Sequence, residues 1–310
     1  MIPTDPPDTT VTAKDVFKLD FDLDIPAFSK PGDYTPQKNP DFVFDPMTTL
    51  AILAGVVHNR RVLIQGLHGT GKSSHIEQVA AYLNWPCLCV NLDSQISRFD
   101  LIGKDVIVLS EGRQKTEFRE GILPFAMQNP MMLIFNEYDA GRPDVMFVLQ
   151  RVLEDNGTLT LLDQTRVIHP NRFFRIFATA NTIGLGDETG LYYGTQQLNQ
   201  AQLDRWHIVT QLSYLSPQHE FAMIRPKTTD VISDQLLQSM IETANRIRHA
   251  FAAQKITNVI SPRAVITWAE NTEIMKSVPY AFRISFLNRC SPTEYQAISQ
   301  IYRESMGHEL

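Results

Sequence analysis

Apolar and polar positions along the chain change period several times, and those changes outline its elements. In the first forty-five residues Phe17, Leu19, Phe21, Leu23 and Ile25 alternate with charged or polar neighbours, among Pro26, Pro31, Pro36 and Pro40. A two-residue period predicts one strand, here inside a loop-rich arm over residues 1–45. From Asp45, Leu50, Leu53 and Val57 predict a short apolar helix, Val62-Leu63-Ile64 a buried strand, and Ile76, Val79, Ala80 and Leu83 a second helix. Trp85-Pro86 interrupts that pattern, and Cys87 to Leu92, Met131 to Phe135 and Ile176 to Ala180 read as further buried strands. Strands alternating with helices imply an α/β fold, a parallel sheet flanked by helices, with ligands at the carboxyl ends of the strands. Two hairpins interrupt the alternation. One runs from Val106-Leu109 through Ser110-Glu111-Gly112-Arg113 to Gln114-Phe118, the other from Thr158-Leu162 through Asp163-Gln164-Thr165 to Arg166-Ile168. From about Ser216 the pattern is helical. Leu237, Met240, Ile241, Ala244, Ile247 and Phe251 recur at helical spacing, with further helices expected around Val265-Trp268, Phe282-Leu287 and Tyr295-Tyr302. The expected organisation is an arm over 1–45, an α/β core over 46–215 with two hairpin insertions, and a small helical lid over 216–310.

Composition narrows the class. The 310 residues are 43% hydrophobic and 20% charged, enough for one large domain plus a smaller one. No apolar run reaches bilayer length and the N-terminal residues lack the blocks of a signal peptide, so a cytoplasmic location is expected. Cys87, Cys89 and Cys290 make an odd count without zinc-type spacing, which suits a reducing compartment. The eight histidines show no paired metal spacing, and no transition-metal site is expected in this chain. A formal charge of −6 gives no electrostatic footprint for nucleic acid, so a nucleic-acid motor is disfavoured.

The chemistry concentrates at Gly66-Leu67-His68-Gly69-Thr70-Gly71-Lys72-Ser73, which satisfies G-x-x-x-x-G-K-[ST] between a strand and a helix. Backbone N–H groups of such a loop converge at a helix N-terminus and attract phosphate oxygens. Gly66, His68, Gly69, Thr70, Gly71, Lys72, Ser73 and Ser74 are therefore expected to cradle the phosphates of ATP, with the Ser73 hydroxyl on Mg²⁺. An acidic pair is expected after the strand Met131 to Phe135. The first carboxylate would hold the hydration shell of Mg²⁺, and the second would orient and deprotonate the attacking water. Glu137 takes the second place, but Asn136 takes the first. An amide supplies no negative charge, so weaker Mg²⁺ binding through water and slower hydrolysis are expected with the fold intact. Asn181, at the tip of the strand beside the loop, is placed to touch the γ-phosphate. Arg205 and Arg263 stand at element ends after the core, where a guanidinium can stabilise charge on a transferring phosphoryl group.

Together, Gly66 to Ser73, Asn136-Glu137, Ala178-Thr179-Ala180-Asn181, Gln202 to Trp206 and Ser261-Pro262-Arg263 resemble the AAA+ ATPases of the MoxR branch. Within that branch, Glu137 to Val145, Leu161 to Gln164 and Gly190 to Gln197 closely resemble CobS, the family of ATPase subunits of the aerobic cobaltochelatase, over nearly the whole chain. The resemblance implies an AAA+ P-loop NTPase core with a helical lid, with Asn181 as sensor 1, Arg205 as the finger acting on a neighbour's ATP and Arg263 as sensor 2. It further implies a homo-oligomeric ring, by family habit a hexamer, that hydrolyses ATP to drive Co²⁺ insertion into hydrogenobyrinic acid a,c-diamide in cobalamin biosynthesis. Metal insertion would belong to a large chelatase subunit, reached through a partner with an integrin-like metal-binding domain. A MoxR-type chaperone remodelling such a partner uses the same engine and is the competing function.

Overall fold

The computed structural model describes residues 5–93, 95–110, 113–182 and 200–310. The turn residues Glu111-Gly112 and the segments Gly184 to Gly190 and Gly190 to Gln197 lie outside the described residues. The arm holds β1 (Thr9–Thr12), α1 (Ala13–Phe17) and β2 (Asp24–Ala27), with β1 and β2 antiparallel. This corrects the single strand expected from the alternation of Phe17 to Ile25. Phe17 closes a short helix begun by the Thr12 cap, whose hydroxyl accepts from Asp15 N at 3.1 Å, and Lys18 stops it in the left-handed region. Only Ile25 of the alternating set lies in a strand. The arm folds onto its own core: Phe17, Leu19, Ile25 and Phe28 are buried with Ile52, Val56, Val79 and Trp85, and Tyr34 O accepts from Cys87 N at 2.9 Å.

The core then runs α2 (Pro46–His58), β3 (Val62–Gln65), α3 (Lys72–Tyr82), β4 (Cys87–Asn91), α4 (Arg98–Ile102), β5 (Gly103–Ser110), β6 (Arg113–Glu120), α5 (Ile122–Met127), β7 (Met132–Asn136), α6 (Pro143–Val152), β8 (Leu159–Leu161), β9 (Arg166–Ile168), β10 (Arg175–Ala180), α7 (Gln200–Leu203) and β11 (Ile208–Gln211). Five strands form one parallel sheet in the order β11-β3-β10-β7-β4. β3 and β7 flank β10, so the phosphate loop after β3, the Asn136-Glu137 turn after β7 and Asn181 after β10 meet at one rim. Both faces of the sheet are covered. Leu63, Leu133, Phe135 and Ala178 pack on the α5 and α6 side, while Val62, Ile64, Ile134 and Phe177 pack against α2, α3 and the arm. β11 lacks a signal in the sequence, being four residues whose alternating exposure resembles a loop edge. Its backbone register against Val62–Gln65 is what makes it a strand.

The hairpins β5/β6 and β8/β9 are antiparallel two-stranded ribbons outside the main sheet. Ile107 and Leu109 on β5 are 71% and 78% exposed. The C-terminal part is helical: α8 (Pro217–Ile224), α9 (Asp234–Ala252), α10 (Pro262–Met275), α11 (Val278–Ser285) and α12 (Pro292–Met306). Leu237, Met240, Ala244, Ile247, Trp268, Phe282 and Tyr302 form a core of their own that shares no residue with the two sheet clusters. Among the described residues no helix is long and apolar enough to cross a membrane.

Candidate functional site

The phosphate loop is shaped by what touches it. Gly66 has φ +154 and a side chain there would overlap the Leu212 carbonyl oxygen; Gly69 has φ +75 and a Cβ there would overlap Ser261. Both positions therefore exclude side chains, by contact as well as by backbone conformation. The second contact sets the lid directly on the loop. Lys72, 7% exposed, donates to Gly66 O at 2.7 Å, Leu67 O at 3.0 Å and Asn181 Oδ1 at 2.9 Å. Burial pulls its ammonium down to about 8, opposed by the carboxylates of Asp139 and Glu137. It remains charged at neutral pH.

Asn136, at the end of β7, is held on both sides of its amide. Its Oδ1 accepts from Ser73 Oγ at 2.5 Å and from Thr179 Oγ1, and its Nδ2 donates to Asn91 Oδ1 at 2.7 Å. Glu137 follows in the left-handed region, φ 56, with its N–H directed to Thr179 Oγ1 at 3.3 Å and its side chain exposed to the cleft. A non-glycine residue in that conformation costs energy that the surrounding packing must hold. Tyr138, fully buried and in edge contact with Trp206 at 5.1 Å, anchors the turn.

One cleft of about 400 Å³ brings together His68, Gly69, Gly71, Lys72, Ser73, Ser74, Asn136, Glu137 and Asn181 from the core and Ser261 and Arg263 from the lid. Ser261 caps α10 by accepting from Ala264 N at 3.3 Å, and Pro262 opens the helix, which points Arg263 into the cleft. Gly66 and Thr70 face an adjoining cleft with Asn181, Thr182 and Tyr214, and the Thr70 hydroxyl donates to Leu67 O at 2.9 Å. Arg205 is not in either cleft. It precedes β11 at the end of the sheet opposite the phosphate loop, where its carbonyl accepts from Arg61 Nε at 2.8 Å. Its guanidinium bonds Ala201 O and lies 3.7 Å from Glu154, with Nε buried and unpaired among the described residues. β3 separates it from its own loop by four residues, about 13 Å at the rise of a strand.

Sequence reasoning gave Asp139, Thr179 and Asn91 no role in the site. Asp139 is fully buried, and its Oδ2 accepts from Asn181 N at 3.0 Å, Thr182 N at 2.8 Å and Thr182 Oγ1 at 2.8 Å. It ties the turn after β7 to the tip of β10. A carboxylate three residues past Asn136 was the available signal. Among the described residues no cluster of His, Cys, Asp and Glu is placed to hold a metal.

Residues 61–205 match the AAA domain (dynein-related subfamily), and residues 2–34 match the cobaltochelatase CobS subunit N terminal family. The aerobic cobaltochelatase subunit CobS of a Sinorhizobium species is 56% identical over 98% of this chain and 92% of its own length. Midasin of Dictyostelium discoideum is 27% identical over 51% of this chain but only 3% of that protein. A putative ATPase from Cytophaga hutchinsonii superposes with a TM-score of 0.44 at 18% identity, covering 83% of this chain and 79% of its own, too loose a likeness to add to the topology.

Proposed function

The chain belongs to the CobS family of AAA+ ATPases, and from that premise we propose that it is the ATP-hydrolysing motor subunit of an aerobic cobaltochelatase, driving Co²⁺ insertion into hydrogenobyrinic acid a,c-diamide. The observation that carries this reading is the convergence of Lys72, Ser73, Asn136, Glu137, Asn181 and Arg263 on one cleft, in a chain related to CobS over 98% of its length.

ATP enters with its phosphates on the loop N–H groups, and Lys72 exchanges its carbonyl partners for phosphate oxygens. Ser73 Oγ and Asn136 Oδ1, 2.5 Å apart beside an exposed carboxylate, are the hard oxygen donors that a hydrated Mg²⁺ takes, so the residues present fit that ion. Ser73 would hold it directly and Asn136 through water, and when bound it neutralises charge on the β- and γ-phosphates. Glu137 accepts a proton from the attacking water as that oxygen bonds to the γ-phosphorus and the bond to the bridging oxygen breaks, releasing ADP and phosphate. Asn181 keeps Lys72 in place and reaches the γ-phosphate. Asp139 is a positioning residue: by holding the Asn181 and Thr182 N–H groups it holds the side chain that holds Lys72. Arg263 meets the phosphates from the lid. Arg205, too far from its own loop, acts on the ATP of the next subunit, which requires a ring, and a hexamer is the size we propose.

The ring would work through a partner carrying an integrin-like metal-binding domain and a large chelatase subunit that inserts the ion. The test is cobalt insertion reconstituted from those two subunits with this chain omitted, added back, or added as Lys72→Ala. Insertion is expected only with the unaltered chain and ATP. Insertion that proceeds equally well without the chain would remove the cobaltochelatase assignment and leave the remodelling chaperone.

A further inference from the structure

A buried group in the lid lies outside the cleft yet connects to both of its walls. Arg248 on α9 is 7% exposed and forms a two-pronged pair with the fully buried Glu220 of α8, Nη1 to Oε2 at 2.6 Å and Nη2 to Oε1 at 2.8 Å. Nη1 also donates to Asn245 Oδ1 at 3.0 Å, and Nε goes to the Ile260 carbonyl at 2.9 Å. Ile260 immediately precedes the Ser261 cap of α10, three residues before Arg263. The flat face of the same guanidinium lies 4.5 Å from the centre of the Tyr214 ring, within cation–π range. Tyr214 belongs to the connection between β11 and α8, and its hydroxyl donates to the His68 carbonyl in the phosphate loop at 3.0 Å. A continuous path therefore runs from His68 through Tyr214 and Arg248 to the start of the helix that presents Arg263.

We propose that Tyr214 and Arg248 are positioning residues that couple the conformation of the phosphate loop to the placement of Arg263, so that the lid distinguishes a triphosphate from a diphosphate. The inference rests on Arg263 meeting the phosphates. The chemistry of Arg248 suits this role. A planar guanidinium can satisfy a carboxylate with two donors, a carbonyl with a third and an aromatic ring with its face at the same time, which a lysine cannot do. Being buried and paired, it has a single arrangement, and any shift of the Tyr214 ring is passed to the Ile260 carbonyl instead of being lost in solvent. The approach of Ser261 to Gly69, by contrast, is steric and limits how near the lid comes to the loop.

The test compares affinities for a non-hydrolysable ATP analogue and for ADP, measured by fluorescence titration on the full chain. Tyr214→Phe keeps the ring under Arg248 and removes the bond to His68; Arg248→Lys keeps the charge beside Glu220 and removes the fork. Each is expected to weaken the triphosphate analogue by about 3- to 10-fold, the range of one hydrogen bond, while ADP changes by less than about two-fold. Tyr214→Phe should leave Tm unchanged and should cause no further loss in an Arg263→Ala background. Equal weakening of both nucleotides, or a loss that adds to that of Arg263→Ala, would overturn the coupling and indicate ordinary structural support. If Arg263→Ala weakens the triphosphate but Tyr214→Phe and Arg248→Lys are silent, the coupling fails and the reading of Arg263 stands. If Arg263→Ala is itself silent, both fall.

Discussion

Asn136 uses both ends of its amide, accepting from Ser73 and Thr179 on one side and donating to Asn91 on the other. The amide at this position is thus held in a hydrogen-bond junction. An aspartate placed there would keep both hydroxyl donors, and the Asn91 amide could turn to present its NH₂ group to the second oxygen. The two residues would then differ by one negative charge at the proposed Mg²⁺ site. Asn136→Asp is expected to raise ATP turnover and to lower the Mg²⁺ concentration for half-maximal activity by about tenfold, the scale of one added charge at a few ångströms in a partly wet site. An Mg²⁺ titration of turnover in both forms reads this directly. Identical curves would show that the amide costs nothing at this position.

At the scale of elements, one imidazole sits in the join between α2 and α3. His75 on α3 is 2% exposed, faces Phe42 and Phe44 at 5.4 and 5.6 Å, and bonds Thr49 of α2 at 2.7 Å through Nε2. Thr49 Oγ1 already donates to Asp45 O at 2.7 Å, so the imidazole N–H is the donor in that pair. Burial pulls its pKa down from 6.5 to about 4, against a smaller opposing effect of Asp45. The sign follows from linkage: below pH 6.5 the unfolded chain binds a proton that the folded chain refuses until pH 4, so stability is lost across that window as pH falls. Between pH 7 and pH 4.5 the loss attributable to His75 is roughly 2 to 3 kcal/mol. Urea unfolding of the wild type and His75→Gln at the two pH values is expected to show a correspondingly shallower fall in the variant. Equal falls would mean the ring titrates as if exposed. The arm residues Phe42 and Phe44 share this pocket, so acid is expected to loosen arm and core together.

For the whole molecule the decisive fact is the separation of Arg205 from the loop of its own chain. A side chain at the start of β11 and a phosphate loop at the end of β3 lie at opposite ends of adjacent parallel strands. In a head-to-tail ring, Lys72→Ala subunits lack a working loop but keep their arginine, while Arg205→Ala subunits keep the loop and lack the arginine. Mixed one to one, the two inactive proteins should regain ATPase activity at about one quarter of the seams, where an intact loop meets an intact arginine. Absence of any recovery would place Arg205 in a role within its own subunit.

Four of the five sheet strands, the phosphate loop, the polar residues at the strand tips and the helical character of the C-terminal part were legible in the chain itself, because each is written in local period or in a contiguous motif. The arm was misread for a related reason: alternation at Phe17 to Ile25 has the period of a strand, but the Thr12 cap and the left-handed Lys18 impose a helix and a reversal within it. β11 could not be seen at all, since four residues acquire strand character only from the neighbour they pair with. Sheet order, the burial of Asp139 between two strand ends, the seating of Ser261 on Gly69 and the path from His68 to Arg263 join residues tens to more than a hundred positions apart. Such contacts depend on how the parallel strands are ordered and on where the lid comes to rest, and no local pattern records either.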